Sequence, residues 1–151
     1  SVEEAKKNAV RNGLSNTEFF CGPAEKILPD ICSRGIQPKT VFVDPPRKGL
    51  EASVPGIIAA MEPETVIYIA CGPEALARDA AKFHNLGYCL DTLQPVDLFP
   101  DTAHIECVAR LRRVQKKADG FHRPLSEPDS IYFRFASKND VILSNGITFI
   151  L

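Results

Sequence analysis

The sequence predicts an α/β fold with a largely parallel sheet, and three observations carry that prediction. Residues 40–44 and 65–70 are short runs rich in β-branched and aromatic side chains, without the polar alternation of a half-exposed strand. Each run ends at proline, Pro45-Pro46 in one case and Gly72-Pro73 in the other. Strand-like and helix-like segments then alternate from residue 17 to residue 111, the pattern that places helices against a sheet.

Each element has a local reason. Val2, Ala5 and Ala9 share one helical face, Glu3, Glu4, Lys6, Lys7 and Arg11 cover the other, and Asn12-Gly13 supplies the stop. Residues 17–21 read as a strand. Residues 23–34 read as a helical stretch interrupted at Pro29 and closed by Gly35. The strand at 40–44 stops at Pro45-Pro46, because proline cannot donate to a ladder. Residues 53–61 form a small-residue helix with Pro55 in its first turn. The strand at 65–70 leads into a helix at 73–86, with Pro73 at its first position and Leu76, Ala80 and Phe83 at helical spacing. Residues 87–94 and 105–111 read as further strands. Beyond them, 118–129 has the Gly, Pro and polar content of a linker. Residues 130–136 and 141–151 alternate as strands do, and Asn145-Gly146 is a hairpin turn signal. The expected division is thus a domain at 1–117, a linker at 118–129 and a β-hairpin-like tail at 130–151.

With 151 residues, 44% of them hydrophobic and 25% charged, the chain has the composition of one globular domain. It has no apolar run long enough to span a membrane, and its first residues are too polar for a signal peptide, so a cytoplasmic protein is expected. Five cysteines without a C-x-x-C pair argue against a disulfide framework and against zinc, and no metal ligand is expected. A net charge of −1 excludes a surface built overall to grip nucleic acid. It leaves room for a local basic stripe, and the run from Arg110 to Lys117 is either that or a solvated strand end.

In an open α/β sheet, ligands gather at the carboxyl ends of the strands, which draws Asp44, Arg47 and Cys71 to one rim. Cys71 sits just before a helix N-terminus, whose unpaired N–H groups favour a thiolate. A reactive nucleophile and a buried structural thiol are equally open readings of it. Asp44 either pins a ligand or, more often in such a turn, caps the Pro-Pro loop, and Arg47 either clamps a phosphate or base or is a solvated loop cation. Asp97, Asp101, His104 and Glu106 fall in one segment that enters the last strand of the sheet. Glu106 is a general base or an ion-pair partner there, and His104 packs locally rather than ligating a metal.

Three segments together resemble the S-adenosylmethionine-dependent RNA uracil-5-methyltransferases, which make 5-methyluridine in transfer and ribosomal RNA. They are Asp44-Pro-Pro-Arg-Lys-Gly49, Tyr68-Ile-Ala-Cys-Gly-Pro73 and Val96-Asp-Leu-Phe-Pro-Asp-Thr-Ala-His-Ile-Glu106, similar to the family's motifs in order and spacing. The resemblance covers roughly residues 1–115. It implies a Rossmann-like class I methyltransferase fold, S-adenosylmethionine as cofactor and RNA as partner. It also implies roles: Cys71 as nucleophile, Glu106 as base, Asp44 on the cofactor side, and Arg47 and His104 toward the substrate.

The chain departs from the family at Ala70 and Ala75, where hydroxyl residues are usual, and at Asp101. It contains no G-x-G pattern, so the strand, Gly-rich turn and helix that hold such a cofactor are missing from this sequence. The expectation is a piece of a longer enzyme, with an incomplete cofactor site and no activity by itself. The alternative is a non-enzymatic RNA-contacting or interaction fragment that retains the motifs. In the implied sheet the two earliest strands lie between those at 17–21 and 40–44. Without them, the 40–44 strand would pair with a second copy, close against the 17–21 strand, or recruit the tail hairpin.

Overall fold

A computed structural model of the chain describes residues 2–116, 122–123, 140–144 and 147–150. Helix α1 (Val2–Arg11) precedes strand β1 (Thr17–Cys21), helix α2 (Ala24–Ser33), strand β2 (Thr40–Val43) and helix α3 (Val54–Ala60). Strand β3 (Thr65–Ala70), helix α4 (Pro73–Asn85), strand β4 (Tyr88–Val96) and strand β5 (Glu106–Arg113) follow. Later come the short β6 (Gln115–Lys116) and β7 (His122–Arg123), which pair with each other, and then β8 (Asp140–Ser144) and β9 (Ile147–Ile150).

These elements agree with the sequence expectation to within a few residues, with one local correction. Helix α2 is not interrupted at Pro29 but runs through it. Proline there forgoes the one backbone bond to Glu25, while Leu28 and Ile31 on either side are fully buried, so packing outweighs the lost bond.

The main sheet has the order β1-β8-β9-β2-β3-β5-β4. The expectation of a largely parallel sheet is corrected, since the parallel pairings are β9 with β2 and β2 with β3, and the others are antiparallel. The cause lies in two strands that reverse direction. Strand β5 inserts backwards between β3 and β4, and β8 runs against both of its neighbours. β1, β9, β2, β3 and β4 still all point the same way.

The tail hairpin takes the slot in the middle of this sheet. β8 pairs antiparallel with β1 from Thr17↔Ser144 to Cys21↔Asp140, and β9 pairs parallel with β2 from Thr40↔Ile147 to Val43↔Ile150. Of the three outcomes open to the 40–44 strand, the structure adopts recruitment of the hairpin, and β2 is paired on both sides. The expected strand at 130–136, most of the linker at 118–129 and the Asn145-Gly146 turn lie outside the described residues.

Register explains the core. Val41, Val66 and Leu111 align across β2, β3 and β5, as do Val43, Tyr68 and Ala109, so all point to one face. There they meet Leu28 and Ile31 of α2, Val54 and Ile58 of α3, and Leu76 and Phe83 of α4. Phe83 and Tyr88 pack edge to face at 5.8 Å, and the Tyr88 hydroxyl donates to the Pro63 carbonyl at 2.8 Å. Burial pushes the Tyr88 phenol up to about 12.

Among the described residues two charged side chains are buried, Asp79 and Arg112, and the first is the more deeply buried. Asp79 of α4 has no exposed surface. Its Oδ2 accepts from the Tyr68 hydroxyl at 2.9 Å and from the Leu50 N–H at 2.8 Å, and its Oδ1 lies 3.0 Å from Lys82 Nζ. The adjacent Arg78 donates to the Lys48 carbonyl. The loop after β2 is therefore clamped on both sides of Gly49. That residue has a φ of +85°, and a Cβ on it would lie 2.5 Å from Asp79 Oδ2, so glycine is required by conformation and by space.

Removing the carboxylate leaves a buried hydroxyl and a buried N–H without their acceptor. Asp79→Ala is expected to lower the unfolding free energy by about 3–5 kcal/mol, and Tyr68→Phe by only about 1 kcal/mol. Urea titrations of the two variants check this ordering; equal, small losses would show that the clamp contributes little.

Candidate active site

The rim at the carboxyl ends of β2 and β3 carries the predicted residues. Strand β3 ends at Ala70, and Cys71 is the next residue out. Gly72 caps α4 with extended backbone, Pro73 occupies the first helical position, and the Leu76 N–H donates to the Gly72 carbonyl at 3.2 Å to start the helix. Cys71 is partly buried, and all five cysteines are free thiols.

Glu106 reaches the same place from the other direction. It opens β5, and the β3–β5 ladder ends at the pair Ala70↔Cys107. Cys71 and Glu106 are thus the next residues outward on neighbouring antiparallel strands, a juxtaposition set by register rather than by sequence distance.

A pocket of ≈ 410 Å³ lies at this point, lined by Arg47, Cys71, Phe99, His104 and Glu106. A cleft of that size is in the range that takes small ligands. The Arg47 guanidinium contacts His104 Nδ1. Arginine only donates, so the contact fits the tautomer in which Nδ1 accepts and Nε2 carries the N–H donor of the ring. The pocket therefore combines a thiol, a carboxylate, a guanidinium and an imidazole N–H.

Four of the five sequence-predicted site residues meet in this pocket. Asp44 does not line it; it follows β2 on the same rim, half-buried between Val43 and the buried Pro45. Among the described residues no group of three His, Cys, Asp or Glu side chains has the geometry to hold a metal ion, and no helix is long and apolar enough to cross a membrane.

The segment leading to His104 is a built turn. Asp97 Oδ1 accepts from the Phe99 N–H at 3.1 Å. The Phe99 carbonyl accepts from Thr102 through both its hydroxyl, at 2.7 Å, and its N–H, at 3.2 Å. Asp101 has a φ of +65°, in the left-handed region that Asp and Asn tolerate better than most residues. Asp97 and Asp101 thus shape the loop. Phe99 was not singled out from sequence; the signal was an apolar Leu98-Phe99 pair inside an otherwise polar, Pro-bearing loop.

Three arginines of the basic run have carboxylates nearby. Arg110 Nη2 lies 2.5 Å from Asp91 Oδ2, Arg112 Nε lies 3.5 Å from the same oxygen, and Arg113 Nη1 lies 3.4 Å from Glu62. Asp91 lies on the edge strand β4 and Glu62 in the turn before β3, and the buried Arg112 Nε makes no hydrogen bond.

The chain is similar to several RNA methyltransferases. "Uncharacterized RNA methyltransferase YljE" of Lactococcus lactis is 50% identical over 113 residues, covering 75% of this chain and 25% of that protein. "Uncharacterized RNA methyltransferase CA_C0523" of Clostridium acetobutylicum is 45% identical over 116 residues, covering 77% of this chain and 25% of that protein. The chain thus spans about a quarter of the length of the curated relatives it matches. The crystal structure of M1.HpyAVI, at 15% identity, superposes with a TM-score of 0.50 over 70% of this chain and 63% of that one, a likeness of fold alone. The model of the tRNA (uracil-5-)-methyltransferase family matches residues 5–114, the segment that holds Arg47, Cys71, Phe99, His104 and Glu106, and the chain belongs to that family.

Proposed function

We propose that this chain is the catalytic part of an RNA uracil-5-methyltransferase that works through a covalent adduct between Cys71 and uracil C6. The observation that carries the reading is the convergence of Cys71 and Glu106 on one pocket from neighbouring strand ends. Uracil C5 is a poor carbon nucleophile. Addition of the Cys71 sulfur to C6 breaks the C5–C6 double bond and moves its electron pair toward C5 and O4, which makes C5 nucleophilic. Arg47 and the His104 Nε2–H are donors suited to the negative charge that then builds on the carbonyl oxygen. Once C5 carries both its new substituent and its proton, Glu106 takes the proton and the sulfur leaves C6, restoring the ring and the free thiol. In this reading the substrate is a uridine of transfer or ribosomal RNA.

S-adenosylmethionine, the cofactor of this reading, supplies an electrophilic methyl group when bound. The described residues do not form its full site. β9 pairs with β2 along its length, in the slot where a Rossmann-like sheet carries its cofactor strand, and the sequence has no Gly-rich turn to cradle the methionine part. Asp44, just past the end of β2, would supply one wall of that site. Activity accordingly belongs to a complete enzyme built on this sequence. The rival reading, an RNA-contacting fragment without catalysis, is favoured by that same filled slot.

RNA carrying 5-fluorouridine at the target position is expected to trap a covalent complex with the complete enzyme, because fluorine at C5 cannot leave as a proton. Denaturing electrophoresis reads the complex, and its persistence in Cys71→Ala protein would overturn the assignment.

Glu106→Gln is expected to accumulate a protein–RNA adduct on unmodified substrate that wild-type enzyme clears, with turnover slowed about 10²–10⁴-fold. Rapid, complete turnover by this variant removes Glu106 from the mechanism.

The 151-residue chain alone is expected to bind S-adenosylmethionine no more tightly than about 1 mM. Calorimetric titration decides it, and micromolar binding would mean that the cofactor site is complete without a glycine turn.

A further inference from the structure

We infer that Phe99 is the stacking wall for the target pyrimidine, presented to the pocket by the turn between Asp97 and Thr102. The inference rests on the uracil reading above and adds the residue that would hold the flat faces of the base.

A single exposed apolar side chain is ordinary and by itself says nothing. Phe99 differs in two respects. It is 52% exposed yet lines the same pocket as Cys71 and Glu106. Its backbone is also fixed at both polar groups, the N–H by Asp97 and the carbonyl by Thr102. His104 extends the brace, its N–H donating to Thr102 Oγ1 at 3.3 Å. The turn thus ties the placement of Phe99 to that of the histidine that contacts Arg47.

The chemistry of the pocket explains why such a wall is needed. Of the other lining side chains, the thiol and the carboxylate act on single atoms of a base, and the guanidinium and the imidazole are turned edge-on toward each other by the Arg47–His104 contact. Sulfur addition to C6 proceeds perpendicular to the ring plane, so the base must be held with its plane fixed while one face stays open to Cys71. An aromatic ring against a base does this without hydrogen-bond readout, and it also compensates the stacking a base loses when it leaves its helix. Of the five lining residues, Phe99 is the one with a large apolar face. Stacking acts on the planar base before addition, and it weakens once C6 becomes tetrahedral. The contact therefore belongs to substrate binding rather than to the chemical step.

The test uses fluorescein-labelled single-stranded oligouridylate and an abasic oligomer of the same length and phosphate count, titrated against the whole chain by fluorescence anisotropy. Wild-type protein is expected to bind the oligouridylate more tightly than the abasic oligomer. Phe99→Leu is expected to weaken oligouridylate binding roughly 5- to 150-fold with abasic binding unchanged, and Phe99→Tyr to restore it. Matching thermal melts of the three proteins establish that the turn is intact. No preference for bases over abasic sites in wild-type protein, equal weakening of both oligomers in Phe99→Leu, or no weakening of either would overturn the proposal. Its failure is separable from that of the covalent mechanism. A Cys71 adduct with Phe99-independent binding overturns only the stacking role, whereas Phe99-dependent binding without an adduct overturns only the mechanism.

Discussion

Asp79 holds the site together without being part of it. A carboxylate with no exposed surface is costly unless its oxygens are occupied, and here two come from structure that must be in place first, the Tyr68 hydroxyl on β3 and the Leu50 N–H in the loop after β2. Strand, helix and loop are thereby made interdependent. Burial, with the Asp79 contact second, pushes the Tyr68 phenol well above its ordinary range, which keeps it a donor. Arg47 stands two residues before Gly49 and Cys71 three residues after Tyr68. The two arms of the pocket are hung from one buried group.

The pocket shows a division of labour between elements. Cys71 and Glu106 sit at strand ends, where ladder register fixes their separation. Arg47, Phe99 and His104 come from loops, which are positioned by hydrogen bonds to side chains: the clamp at Gly49 for one, the Asp97 and Thr102 turn for the others. On the proposed mechanism, the groups that would meet reacting atoms rest on strand ends, and those that would recognise a substrate rest on braced loops.

Much of this was legible in the sequence. Proline boundaries and apolar runs located β2, β3 and α4 to within a residue or two, because those signals are local. Cys71, Glu106, Arg47 and His104 were legible through spacing that resembles a known family, and the pocket unites them. The Asp79 clamp was not legible, since an aspartate on a helix reads as solvated until a loop 29 residues away is seen to donate to it. Nor were the pairings of Arg110, Arg112 and Arg113, whose partners lie on other strands or loops. Sheet polarity failed for a related reason: the alternation of strands and helices favours parallel pairing, and nothing local announces that β5 inserts backwards. Phe99 escaped because an apolar residue in a loop has no periodicity to betray it.

The hairpin in the middle of the sheet also sets an order of events for the chain as it is made. Thr40 pairs with Ile147 and Thr17 with Ser144, so β2 gains its second neighbour, and the edge strand β1 its sheet partner, only after the sequence between has been synthesised. Until then β2 has an open backbone edge, flanked by the apolar residues that later fill the core. Long-range pairing of this kind is slow, because a large loop must close before any contact compensates for it. During translation the half-built sheet is a surface for chaperones and for the strands of neighbouring nascent chains. The register therefore ties early strands to residues far along the chain, a dependence that a sheet assembled outward from consecutive strands would not have.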